Sequence, residues 1–399
     1  MKEIDLKIAV VGLGRAFTLM LPTFLADERV KLVGAYDPRR KATDQFRKDF
    51  EAVIYDDVES LCSDDTVEVV YIASPHQFHA EHVKIAARAG KSILVEKPLA
   101  ISLDECSEIV DTVSENNVVL IVGHSHSFDG PVLQAAKLLH SGELGTSCML
   151  NALNYTDFLY RLRRPEELDT GKGGGVVYSQ AAHQVDIARL LMGGEVSTVR
   201  ACIGNWDSER SADGAYSALL TFKNGGFASL TYSGYAHYDS DELLENVSEM
   251  GFMKDQWVFG VSRKRLQAVS TEGEASMKAE NTYGGDHYRS ALKGHAPYHQ
   301  HFGQFIVSAQ RADLRLTPKG VWVYGDNKRF IETPGNTIPR VEVIDELWGA
   351  VRGGVTPLHD AMWSRATMEV CIAIIESART GKEIPMRFQV APNLGTTSH

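Results

Sequence analysis

The chain has 399 residues, a net charge of −11, 44% hydrophobic and 23% charged residues. That length exceeds one ordinary core and predicts two domains. The acidic balance argues against nucleic acid or an anionic membrane as the main partner. No apolar run reaches the ~20 residues of a membrane span, and the five cysteines, odd in number and far apart, show no disulfide or zinc spacing. The expectation is a soluble, reduced, cytoplasmic protein that can still hold a small anion through a local arginine cluster.

Residues 1–125 alternate strands and helices. Leu6–Val11 reads as a buried strand, and Gly12-Leu13-Gly14-Arg15-Ala16-Phe17 leads into an amphipathic helix ending near Ala26. Glycines between strand and helix permit a tight turn and close approach of a pyrophosphate to the helix N-terminus. Phe17 takes the third glycine position, which predicts looser packing there. Val30–Tyr36 ends at Asp37. An acid about 20 residues past the glycines binds a ribose 2′-OH and favours NAD over NADP. Arg39 and Arg40 leave a 2′-phosphate site open as the alternative.

Three more buried strands follow. Val67–Ala73 ends on Ser74-Pro75-His76-Gln77-Phe78-His79, Ile93–Val95 on Glu96-Lys97-Pro98, and Val118–Val122 on Gly123-His124-Ser125-His126. This alternation predicts a doubly wound parallel sheet, whose ligands bind at the carboxyl ends of the strands. The cofactor-side candidates are therefore Gly12, Gly14, Arg15, Ala16, Phe17, Asp37, Arg40, Ser74, Pro75, His76, His79, Glu96, Lys97 and His124. Singly, each histidine is more often a satisfied loop residue than a catalyst. No acid or cysteine joins them at ligand spacing, so no metal is expected.

In residues 126–399 the period changes. A helix over Pro131–His140 precedes strands at 147–158, 196–206, 215–222, 227–235, 302–310, 320–324 and 328–332, with Asn224-Gly225 as a hairpin signal. Helices are expected over Val341–Val351 and Met362–Arg379. The pattern is that of an α+β domain. Gly173-Gly174-Gly175 opens a helix running to about Met192 that places Ser179, His183 and Asp186 on one face, with Asp186 available to orient His183. Arg161, Arg163 and Arg164 suit a carboxylate or phosphate, or form a solvated basic loop. His287, His295, His299 and His301 stand among aromatics in a poorly periodic stretch, 236–301, read as a lid or an oligomer contact.

The order of Gly12-Leu13-Gly14, Asp37, Ser74-Pro75 with His79, Glu96-Lys97-Pro98 and the 173–186 segment resembles the Gfo/Idh/MocA family along essentially the whole chain. The resemblance implies an NAD(P)-dependent oxidoreductase with an N-terminal Rossmann domain, here 1–125. Its C-terminal domain, 126–399, would be an open, mostly antiparallel sheet carrying the substrate and the contacts of a homodimer or homotetramer. It also implies that Lys97 lies by the nicotinamide and acts with His183. The family usually reads Asp-x-x-x-His where this chain has Ser179 and His183, which puts sugar or inositol oxidation in doubt.

Gly12–Phe17 running into Leu21-Pro22-Thr23-Phe24, together with Ser179, 311–315 and 323–326, resembles the phthalate 4,5-cis-dihydrodiol dehydrogenase branch. That implies oxidation of a carboxylated cis-dihydrodiol to 4,5-dihydroxyphthalate. The arginines would hold carboxylates, and Lys97, Ser179 and His183 the diol. A sugar or polyol dehydrogenase, an NAD-dependent hydrolase or lyase, and a non-catalytic cofactor sensor are the alternatives.

Overall fold

The computed structural model describes residues 5–269, 271–288 and 296–394. The first sheet is built from β1 (Leu6–Val11), β2 (Val30–Tyr36), β3 (Val53–Ile54), β4 (Val69–Ile72), β5 (Ser92–Val95) and β6 (Leu120–Val122). All its pairs are parallel, in the order β3-β2-β1-β4-β5-β6. The central strands are buried on both faces, which is why β4 reads Val-Val-Tyr-Ile without alternation. The order reverses between β1 and β4, so the crevice opens where Gly12 and Ser74 follow those strands.

The second sheet holds nine strands: β7 (Ser147–Tyr155), β8 (Val196–Gly204), β9 (Ala215–Phe222), β10 (Phe227–Ser233), β11 (Gln304–Ala309), β12 (Asp313–Thr317), β13 (Gly320–Tyr324), β14 (Lys328–Glu332) and β15 (Ile384–Pro385). Their order is β14-β13-β12-β11-β7-β10-β9-β8-β15, antiparallel except where β10 runs parallel to β7. Asn224-Gly225 does turn the β9–β10 hairpin, with Gly225 at φ 87°. The branch-like segment 311–315 becomes the start of β12 rather than a site element.

Two late helices join the halves. Val341–Gly353 puts Val343, Ile344, Leu347 and Ala350 into the core of the first sheet with Leu6 and Ile8. Ala361–Thr380 packs between β8 and the helix Leu103–Glu115. The expected helix after the glycine run begins instead as a wide π-type turn, Val177–Ala181, before Ala182–Met192. Within the irregular stretch, Tyr283 inserts between Phe17 and Phe46, with ring centroids 5.1 and 6.4 Å away. Among the described residues no helix is long and apolar enough to cross a membrane.

Candidate active site

At the cofactor end, a Cβ on Gly12 would lie 2.8 Å from backbone atoms of Ala73 and Ser74, at φ 96°, so only glycine fits that turn. A Cβ on Gly14 would meet nothing within 4 Å. Open space therefore lies over the start of the helix Arg15–Ala26, where the first N–H groups have no intrahelical acceptor. These features fit a dinucleotide pyrophosphate. Arg15 is exposed there, and its side chain forms no hydrogen bond or ion pair among the described residues. Partial loss of solvent beside the cleft walls, then the charges of Arg340 and Arg161, lower its pKa.

Asp37 accepts from the Leu13 N–H at 2.7 Å and from the Arg39 N–H at 2.8 Å, and pairs with the Arg39 guanidinium at 3.1 Å. Arg39 thus closes over the acid. Arg40 does not: its side chain is 92% exposed and reaches only Asp44. The phosphate-site alternative loses that arginine, because Arg40 begins a helix and points outward. The Phe17 ring is fully buried in the aromatic cluster, so Phe17 offers a cofactor only its backbone. Its packing is tight, not loose, since Tyr283 fills the space.

His79 is also fully buried. Its Nδ1 lies 2.8 Å from the Pro98 carbonyl and its Nε2 2.9 Å from the Ser74 carbonyl. It braces two strand-end loops against each other and is not free to contact a cofactor. His76 meets the Gly173 carbonyl at 3.3 Å, and Ser74 Oγ meets His82 at 3.0 Å. Pro75 lies between these two in the loop after β4. The glycine run serves another backbone, not a ligand: a Cβ on Gly174 would sit 2.6 Å from the Glu167 carbonyl.

Lys97 follows β5, with a cis bond to Pro98, and its Nζ donates to the Ser179 carbonyl at 2.8 Å. Ser179 therefore serves Lys97 through its backbone, exposed by the wide turn. Burial brings the Lys97 ammonium down to about 8, opposed by Glu96 and Glu249 and reinforced by Arg340 and Arg163. Beneath it, Glu96 accepts from the Tyr71 hydroxyl at 2.7 Å, and burial raises its pKa.

His183 is buried, and burial followed by the nearby Lys97 charge pushes its pKa well below the usual value. It is a neutral imidazole. Its Nδ1 accepts from the His126 N–H at 3.4 Å, which leaves the proton on Nε2 as a donor. His126 and Phe302 each place a ring 4.8 Å from it. Asp129 holds the neighbouring histidines, His124 at 3.3 Å and His126 at 2.7 Å.

Asp186 does not orient His183. Its carboxylate accepts from Ser127 Oγ, from Trp363 Nε1 at 2.6 Å and from Thr367 Oγ1 at 2.9 Å. Ser127 in turn lies 2.8 Å from His359, whose other nitrogen lies 2.8 Å from Glu346. One helix face suggested the Asp186–His183 pair, but partners on later helices claim the acid.

The arginines separate. Arg164 pairs with Glu166 at 3.0 Å and Glu167 at 3.4 Å within its own turn, and its backbone N–H donates to Glu167 at 2.7 Å. Arg163 lies 3.6 Å over the Phe158 ring and donates to the Phe158 carbonyl at 2.6 Å, with 10% of its side chain exposed. Arg161 is 40% exposed, with Asp157 and Glu249 each 3.2 Å away. His299 and His301 bond backbone carbonyls of Pro334 and Val247, both at 2.9 Å, and His287 meets Glu280 at 3.1 Å. His295 lies outside the described residues. Among the described residues no three His, Cys, Asp or Glu side chains gather as a metal site.

Residues 6–124 match the "Oxidoreductase family, NAD-binding Rossmann fold", and 132–253 the "GFO/IDH/MocA C-terminal domain". This chain belongs to the Gfo/Idh/MocA family. It is an NAD-dependent dehydrogenase acting on CH–OH donors. A relative from Comamonas testosteroni, 1-carboxy-3-chloro-3,4-dihydroxycyclohexa-1,5-diene dehydrogenase, is 46% identical over 94% of this chain and 95% of its own. A crystal structure from Bordetella bronchiseptica RB50 superposes with a TM-score of 0.89 at 38% identity, covering 96% of this chain and 100% of that one. Levoglucosan dehydrogenase in complex with NADH and levoglucosan shares the fold, with a TM-score of 0.71, 18% identity, and 96% and 99% of the two chains covered.

Two members of this family site escaped the sequence. Arg340, at φ 54° before the helix Val341–Gly353, acts on Lys97, His183, His124 and Glu96. Glu249 acts on Lys97, Arg15 and Arg161. The only local hint was Pro339-Arg340 ahead of an amphipathic helix.

Proposed function

We propose that the protein oxidises a cis-dihydrodiol bearing a ring carboxylate, releasing a catechol carboxylate. The observation that carries this reading is one cleft holding a lysine poised near neutrality, a neutral imidazole donor and a half-open arginine. NAD, when bound, accepts the hydride. Lys97 in its amine form takes the hydroxyl proton, and its carbonyl partner at Ser179 aims that amine. His183 Nε2–H donates to the same oxygen as it becomes a carbonyl. Arg161 binds the carboxylate, Arg15 and the glycine turn the pyrophosphate, and Asp37 the adenosine ribose. Ketone-to-phenol tautomerism then makes the ring aromatic and drives the reaction forward.

The branch resemblance favours phthalate 4,5-cis-dihydrodiol, which has two carboxylates. The Comamonas relative's name specifies one carboxylate. The phthalate diol fits the chemistry above, whereas the relative's diol carries chlorine on the carbinol carbon C3, which leaves no hydrogen there for that tautomerism. The test is NADH formation with NAD and four compounds: each of these diols, an uncarboxylated cis-dihydrodiol and myo-inositol. Turnover confined to carboxylated diols supports the reading. Turnover of inositol but neither acid rejects it in favour of a polyol dehydrogenase.

A further inference from the structure

Glu249 is one of several acids around the cleft, and it shares the Arg161 guanidinium with Asp157. Burial raises its pKa, but Arg161 first, then His126 and His301, bring it below the usual value, so it is ionised at neutral pH. It sits on a short turn closed by the Val247–Met253 bridge and by the Ser248 N–H donating to the Phe252 carbonyl at 2.7 Å. His301 clamps that turn: its ring meets the Val247 carbonyl at 2.9 Å, and its N–H donates to the Glu249 carbonyl at 3.4 Å. The carboxylate is thereby held toward Arg161 at 3.2 Å, and its charge is felt by Lys97, Arg15 and His126.

Arg161 already bears two acids, Asp157 and Glu249. A guanidinium has five N–H donors, so one substrate carboxylate can still be accommodated on its free edge. A second carboxylate next to the first would add a like charge beside Glu249, which lies 3.2 Å from the same guanidinium. We propose that Glu249 is a specificity-determining residue that restricts this site to substrates with a single carboxylate. This inference rests on the carboxylated-diol reading and refines it. Like charges a few ångströms apart in a partly desolvated cleft change affinity by about tenfold or more.

The test titrates the full-length, NADH-loaded enzyme with benzoate and phthalate by calorimetry, and measures kcat/KM for the one- and two-carboxylate cis-dihydrodiols with NAD. The wild type is expected to favour the single carboxylate in both assays. Glu249→Gln should narrow that preference by about tenfold or more, while Glu249→Asp, which keeps the charge, should preserve it. A preference unmoved by Glu249→Gln, or a wild type that takes phthalate as well as benzoate, overturns the inference. Oxidation of both diols with an unmoved ratio removes the inference alone. The expected anion preference without oxidation of either diol removes the carboxylated-diol reading and leaves the selectivity standing. Binding of neither anion removes both.

Discussion

His183 and His359 are both enclosed imidazoles, yet their pKa values are pushed in opposite directions. His183 faces Lys97, His126, His124 and Arg340, and burial drives it neutral. His359 faces Glu346, Asp186 and Asp360, which outweigh burial and raise its pKa. The surroundings of His359 even have the outline of a hydrolytic triad, with Ser127, His359 and Glu346 spaced at 2.8 Å each. It is no such site. Ser127 is fully buried and already donates to Asp186. The difference teaches that burial alone does not mark a reactive group. What marks the cleft is unused hydrogen-bonding capacity beside a lysine and an imidazole whose charged forms are disfavoured.

The sharpest way to break this contrast is at Lys97. Lys97→Ala should lower turnover by about 10³-fold while NAD affinity, followed by protein fluorescence, changes little. Retained turnover would remove Lys97 as the base. In the wild type, kcat/KM should rise with pH through about 8 and then level, because the amine form is the reactive one. A profile falling over that range would contradict the assignment.

His183→Ala should lower kcat by about 10²-fold, with no inflection in the wild-type profile between about 5 and 7 that the variant loses. Such an inflection would mean that His183 titrates and is not a fixed neutral donor. Arg161→Gln should raise KM for a carboxylated diol by about tenfold, leaving an uncarboxylated one nearly unaffected. Equal effects on both would make Arg161 structural.

The smallest expected effect falls at His359. His359→Gln should cost about 1–3 kcal/mol of stability and leave the pH profile of catalysis in place. The folded pKa of His359 lies above its unfolded value. Its charge-dependent stabilisation is therefore complete below about 6.5 and is lost as pH rises through the folded value. Denaturant melts of wild type and variant should converge over that rise. A gap that widens with pH would refute the charge assignment.

Much of this was legible in sequence because it is local. An apolar run ending in Glu-Lys-Pro announces a strand end, and two glycines before a helix announce a turn that only glycine makes. Seven strands of the nine-strand sheet were visible as alternation; β12 was hidden inside a motif and the two-residue β15 was too short to show. What stayed hidden arises from distance along the chain. Arg340 reaches the cleft because a helix from the second half returns to the first core. Asp186 has the right spacing for His183 but is claimed by Trp363 and Thr367. Arg164 looked like part of a cluster, and Glu166 and Glu167, just downstream, neutralise it.

The glycine run has a consequence for anyone redesigning the pocket by directed evolution. A side chain at Gly173 would strike Ile101, at Gly174 the Glu167 carbonyl, and at Gly175 the Asp213 backbone, at 2.6, 2.6 and 3.0 Å. Libraries that randomise these three codons would consist mostly of misfolded clones, although the positions lie just ahead of the His183 helix. Diversity is better spent on Arg161 and Glu249, where a change alters the pocket without rebuilding the wall behind it.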